Sequence, residues 1–368
     1  MSPLELFTDL CYVVAIAQAA AQLHHAINEN HVVAGVIYFA VAFFAIWLAW
    51  LNFAWFNSAY DADDVTHRVL TLLQVFGSLV LAAGIPRIFE GDFMLGVAGY
   101  VIMRIGLVLM WLRAAHGHPE RRQTALRYAM GLTLVQAAWV VTVVATAGDI
   151  PVAVFVLLAL AEISVPLVAE AVGSTPWHAH HIAERYGLML IIVLGEVVLS
   201  VTFALQDAFD AAHPPASLWL VVMGGVLTIF CAWWLYFARE ASHVIHHDSS
   251  GFVWGFGHYL VYAAVAALGA GLAVRVDFHT HSSHVGTWTS SLAVTAPAAL
   301  FILALWFTQV RPHDGSARVF ALFGGSSALM LVLTWLPAAE AWAGLVFVLL
   351  LVAEASRRQR VSSVGAGT

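Results

Sequence analysis

The chain has 368 residues, of which 61% are hydrophobic and 10% charged, and its formal net charge is −7. Soluble domains are about 25% charged, so this composition, with a mean hydropathy of +0.86, excludes a soluble globular protein and points to an integral membrane one. All 15 basic residues are arginines, and no basic run with interleaved aromatics suggests nucleic-acid binding.

A membrane crossing takes ~20 apolar residues. About twelve such stretches follow one another: 4–24, 32–56, 68–88, 93–114, 125–147, 150–171, 182–206, 217–238, 253–276, 286–308, 317–336 and 338–356. The joins are short and polar and often carry Pro or Gly, as at Pro86, Gly148-Asp149, Pro214-Pro215 and Pro337. No positive region precedes the first span, which argues against a signal peptide. Cys11 and Cys231 both fall inside apolar spans, so they read as small buried hydrophobes rather than a disulfide framework. Residues 358–368 read as a basic, disordered cytoplasmic tail.

The arginines predict an orientation by the positive-inside rule. With a cytoplasmic N-terminus, Arg68, Arg113, Arg121, Arg122, Arg127, Arg185, Arg239, Arg311, Arg318, Arg357, Arg358 and Arg360 fall on the inner side. Arg87 and Arg275 fall outside, and Arg104 lies within the fourth span. Both termini are therefore expected in the cytoplasm.

The chain also echoes itself. Val154 to Ser164 reads VFVLLALAEIS and Val346 to Ser356 reads VFVLLLVAEAS, so Glu162 answers Glu354. Glu5 answers Glu184, and LAAGI from Leu81 resembles LGAGL from Leu268. Equivalents stand six spans apart, which keeps one orientation in both halves. The fold expected is all-α, a polytopic membrane protein of about 12 transmembrane helices in two parallel six-helix repeats, 1–175 and 176–357.

Polar residues inside the spans mark candidate sites, because a charge at the bilayer centre costs at least ~2.5–3.5 kcal/mol and seeks a partner in the bundle. Arg104, Glu162 and Glu196 are three such groups. One arginine neutralises one acid, which leaves a carboxylate whose burial favours its protonated form. Glu196 is the first choice for that proton-titrating acid, and the adjacent Gly195 is expected to admit a neighbouring backbone. Glu5 and Asp9 share a helix face at the start of the first span, where a capping role competes with a functional one. Glu184 and Arg185 read as a cytoplasmic anchor opening span seven. Gln18, Gln74, Gln136 and His258 read as interhelical hydrogen-bonding glue.

Two loops carry candidate metal ligands. Asp61, Asp63 and Asp64 suit a hard cation such as Mg²⁺, while His243, His246 and His247 suit Zn²⁺ or a similar ion. Neither spacing is a specific signature, and a solvated acidic loop is the commoner reading. The first loop is weakly similar to the diphosphate motif of membrane prenyltransferases, without its full pattern. The clusters His24-His25, His178/His180/His181 and His279/His281/His284 read as membrane-edge residues.

With these residues in view, the chain resembles the bacterial low temperature requirement protein A family. The likeness is carried by LELFTDLCYVVAIAQ (4–18), the Asp61/Asp63/Asp64 loop with His67-Arg68, LLQVFGSLVLAAGIP (72–86) and AERYGLMLIIVLGE (183–196). It implies a polytopic bacterial inner-membrane protein and no settled activity. Family members usually begin with a basic segment, whose absence here fits a shortened N-terminus, and Phe7-Thr8-Asp9 stands where Phe-Phe-Asp is usual.

The leading functional expectation is a secondary transporter of a small solute, coupled to protons or another cation, with Glu196 and Glu162 titrating and Arg104 as counter-ion. The alternative is an intramembrane enzyme acting on a lipid or isoprenoid by carboxylic-acid or metal-diphosphate chemistry. A non-catalytic membrane stress-adaptation protein is the third. The partners expected are the bilayer, a small solute or lipid, and a second copy of the chain; no cofactor is indicated.

Overall fold

The computed structural model describes residues 2–210, 216–245 and 249–365. Among these there is no strand, and twelve helices are long and apolar enough to cross a membrane. With no water in the bilayer core, every backbone N–H and C=O must be paired within its own segment, which an uninterrupted helix achieves. The helices are α1 (Pro3–Asn28), α2 (Val32–Tyr60), α3 (Val65–Phe89), α4 (Met94–Gly117), α5 (Arg122–Ala145), α6 (Val152–Glu170), α7 (Ala179–Asp210), α8 (Ala216–Phe237), α9 (Ser249–His279), α10 (Thr287–Leu305), α11 (Ala317–Val332) and α12 (Ala339–Gly365).

Each matches one expected span, with differences at the ends. Pro86 is inside α3 rather than at its exit, because a proline near a helix end loses few hydrogen bonds and neighbouring helices compensate. α10 continues into a π-helical turn, Trp306–Val310. α12 runs beyond Ser356 to Gly365, through Arg357, Arg358 and Arg360.

Local chemistry sets the helix starts. At α1 the backbone N–H of Ser2 donates to Glu5 Oε2 at 2.8 Å and Glu5 N–H donates to Ser2 Oγ at 3.3 Å, a reciprocal capping box. Asp64 caps α3 by accepting from the His67 N–H.

The chain divides into two compact units, Met1–Gln22 with Ala34–Tyr186, and Leu23–Val33 with Gly187–Thr368. The division falls within α7, past the 175/176 position expected from sequence. In the first unit α3, α4, α5 and α6 pack in succession. Aromatics fill their junction with α2: Trp111 stacks on Tyr128 with centroids 4.0 Å apart, and Phe56 meets Trp111 edge-on at 4.9 Å. In the second unit α9 packs on α10, α8 on α12, and α10 also meets α11 and α12.

Glycines let these helices approach closely. A Cβ at Gly84 would lie 2.8 Å from Gly96 N, between α3 and α4; at Gly271 it would lie 1.9 Å from Ala293 O, between α9 and α10. Large apolar side chains such as Leu134, Val141, Leu157 and Leu160 remain on the outside. On a soluble protein such a surface would be a liability; in a bilayer it faces hydrocarbon. The protein is an integral membrane protein.

Candidate functional site

The most concentrated buried charge lies in the first unit, where α1, α2 and the start of α7 meet. Glu5 and Asp9 stand one helical turn apart on α1, and Arg185 on α7 reaches both. Its Nη1 donates to Glu5 Oε1 at 2.7 Å and its Nη2 to Asp9 Oδ1 at 2.6 Å. All three are at most 1% exposed. The Trp50 indole N–H on α2 also donates to Asp9 Oδ1, at 2.8 Å. Phe53 places its ring 5.5 Å from the guanidinium carbon. Tyr186 packs edge-on against Trp50 and accepts from the Trp55 indole at 3.0 Å.

This network is incompletely balanced. Two carboxylates face one guanidinium, and both Asp9 Oδ2 and Arg185 Nε have no hydrogen-bond partner among the described residues. On the Glu5 side, His181 Nε2 lies 3.3 Å from Oε1. His181 and Glu5 also line an open polar pocket with Asn57, Asp61, His178 and His180. The cluster thus has a polar approach at the end of the spans and a closed apolar end at Asp9.

A second buried ion pair joins α4 to α6 in the same unit. Arg104 Nη2 donates to Glu162 Oε2 at 2.7 Å and to Tyr100 Oη at 2.9 Å, with all three groups buried. This pair is internally neutral. A model of the bacterial low temperature requirement A protein family matches residues 1–354. The chain belongs to that family. An uncharacterized protein of Rhizobium meliloti is 24% identical over 325 residues, covering 83% of this chain and 76% of the relative.

The stretches that carry the resemblance in sequence coincide with the buried chemistry. LELFTDL supplies Glu5 and Asp9, and AERYG supplies Arg185 and Tyr186. Arg185 is therefore not the interfacial anchor that its place at a span start suggested: it is fully buried, because Glu5 and Asp9 offer it charge inside the bundle. Glu184 beside it is exposed.

Glu196 stands apart from both clusters. It is half-buried on α7, and no ion pair or side-chain hydrogen bond is shown for it among the described residues. Gly195 admits no backbone, since a Cβ there would meet nothing within 4 Å. The expectation of a close approach at that position is corrected.

The acidic loop spends its carboxylates on separate cationic or polar neighbours. Asp63 accepts from Arg68 Nε at 3.0 Å, Asp64 accepts from both Arg113 nitrogens, and Asp61 lies 3.5 Å from His67. The Arg68 guanidinium holds the Asp63 carboxyl below its usual range, and Arg113, then the His67 N–H, do the same for Asp64. Among the described residues no three His, Cys, Asp or Glu side chains are placed to hold a metal ion. His243 is exposed beside Glu240, and His246 and His247 lie outside the described residues.

Sequence reasoning missed a third buried cluster, in the second unit. Arg275, expected outside the membrane, donates to Glu340 Oε2 at 2.7 Å and to Ser290 Oγ at 2.8 Å, with His279 Nε2 at 2.9 Å. Both charges lie at helix ends and resemble loop residues in one dimension. Their apolar flanks were the available signal. Glu354, the sequence equivalent of Glu162, is also buried and accepts from Arg239 and Arg357.

Proposed function

We propose that the protein is a proton- or cation-coupled secondary transporter of a small solute, with Glu5, Asp9 and Arg185 as its coupling group. The observation that carries this reading is the charge count inside the first unit: two buried carboxylates share one arginine, and one oxygen of Asp9 is unmet. A buried net charge is costly in a membrane protein and tends to be neutralised. A proton on Asp9, a proton on His181 or a bound cation supplies the missing positive charge. Alternate loading of one such group is what coupling needs, and the polar pocket beside Glu5 and His181 offers it a route. Glu196 becomes secondary, because among the described residues it has no charged partner through which titration would be transmitted.

The reading includes two parallel repeats. Gly84 and Gly271, matched in the sequence echo, each sit at a close helix approach, and Glu162 and Glu354 each take arginine. The arginine distribution supports a bacterial inner-membrane location with both termini cytoplasmic.

The test needs no known solute. In proteoliposomes on a solid-supported membrane, a pH step should give a transient charge movement with the wild type. Asp9→Asn, which keeps the side chain's shape, should abolish it while the protein stays monodisperse. An unchanged transient in Asp9→Asn would remove Asp9 from the coupling role.

A further inference from the structure

A cavity of ≈ 40 Å³ lies among α2 to α6 of the first unit, walled by Phe44, Phe93, Trp139 and Phe155. The aromatics form one continuous wall: Phe155 meets Trp139 at 5.1 Å, Phe93 at 6.1 Å and Phe44 at 6.3 Å between ring centroids. The polar side chains lining it are Tyr100, Gln136 and Glu162. Tyr100 Oη and Glu162 Oε2 both accept from Arg104, while Glu162 Oε1 has no hydrogen-bond partner among the described residues. Gln136 is different. It is 7% exposed, and neither its amide oxygen nor its amide nitrogen has a hydrogen-bond partner among the described residues.

A primary amide left unmet at both ends inside a spanning bundle is unfavourable, and an occupant that both donates and accepts relieves it. The half-exposed lining residues Val41, Phe44, Ala45 and Val97 form the mouth. They belong to spanning helices and are apolar, so the mouth faces the side from which lipid, rather than water, arrives.

We propose that this cavity binds the head of a neutral membrane lipid bearing a free hydroxyl, a long-chain or isoprenoid alcohol. The hydroxyl donates to the Gln136 carbonyl and accepts from its NH₂ group, and the chain leaves over Val41 and Phe44. A charged head is excluded by balance: Arg104 and Glu162 already neutralise one another, and a further ion would stand alone among apolar walls. Size agrees, since a water-sized group needs about 10–15 Å³, so the cavity takes the head and its first carbons and leaves the tail in the bilayer. None of its lining residues belongs to the Glu5–Asp9–Arg185 cluster, and the inference stands whether or not the protein transports.

The test uses the whole protein in nanodiscs and 2-bromoundecan-1-ol as probe, whose bromine sits beside the hydroxyl, read by bromine quenching of tryptophan. The expected result is saturable quenching by the alcohol, with 2-bromoundecane and 2-bromoundecanoate weaker by about tenfold or more. Trp139→Phe should remove the saturable part, and Gln136→Leu should reduce the alcohol to the level of the alkane. Equal binding of alcohol and alkane by the wild type overturns the proposal, as does a Gln136→Leu protein that retains the alcohol's advantage. A saturable signal that survives Trp139→Phe also overturns it, by placing the alcohol elsewhere. Should Gln136→Leu fail to fold, the alcohol-to-alkane ratio of the wild type decides alone.

Discussion

Arg185 Nη2 lies 2.6 Å from Asp9 Oδ1, and neither side chain has any exposure. One comes from the first helix and the other from the seventh, so the contact ties together residues 176 positions apart. Such a pair contributes little as a net stabiliser, because desolvation offsets its attraction, yet breaking it strands a buried charge. Arg185→Met should therefore destabilise the protein by about 3–5 kcal/mol. The combined Arg185→Met/Glu5→Gln/Asp9→Asn protein should recover most of that loss. Thermal unfolding in detergent micelles measures both. If the single substitution melts like the wild type, the three charges are not coupled as the distances indicate.

The same logic separates Arg104 and Glu162, with a cleaner design because only two charges are involved. Glu162→Leu alone leaves the guanidinium buried with Tyr100 as its remaining hydrogen-bond partner, and should cost about 3–5 kcal/mol. Adding Arg104→Met should restore stability to near the wild-type level. Strictly additive losses in the double variant would show that no pair energy links the two side chains.

How much of this is legible in the chain depends on the range of the interactions. Twelve spans follow from composition and length alone, since lipid imposes the same requirement on each. The Arg104–Glu162 pair is within reach too: two intramembrane charges of opposite sign have few places to go. Arg185 escapes, because its position at a span start mimics an interfacial anchor, and only the fold brings Glu5 and Asp9 to it. Arg275 and Glu340 are hidden for the same reason. Glu196 stands out in sequence by its apolar neighbours, whereas in the fold it is half-buried and has no counter-charge among the described residues. Gln136 reads as ordinary glue, and only the fold shows that its amide has no hydrogen-bond partner among the described residues.

Gly271 and Gly195 make a paired test of the packing. A methyl group at Gly271 would sit 1.9 Å from the Ala293 carbonyl oxygen, so α9 and α10 must separate to admit it. Gly271→Ala should destabilise the protein by roughly 1–3 kcal/mol or more, as overpacked cores do. Gly195→Ala meets nothing within 4 Å, and alanine is the better helix former, so its melting temperature should equal or exceed that of the wild type. The reverse order would contradict the assigned helix contacts.

Acid should loosen the start of α3. Asp64 caps that helix through the His67 N–H and also pairs with Arg113, and both contacts depress its carboxyl pKa in the folded state. A depressed folded-state pKa means that the contribution is fully present above the unfolded value of about 3.9. It is lost as pH falls through the lower folded value, and raising the pH beyond neutral adds nothing. Hydrogen exchange over the first turn of α3, corrected for the intrinsic rate, should therefore be flat at neutral pH and rise in acid. Asp64→Asn keeps an oxygen for the cap while surrendering the charge that Arg113 reads. Its exchange should be faster than wild type at neutral pH and less dependent on acid. An Asp64→Asn protein with the wild-type acid profile would show that the loosening originates at Asp61 or Asp63 instead.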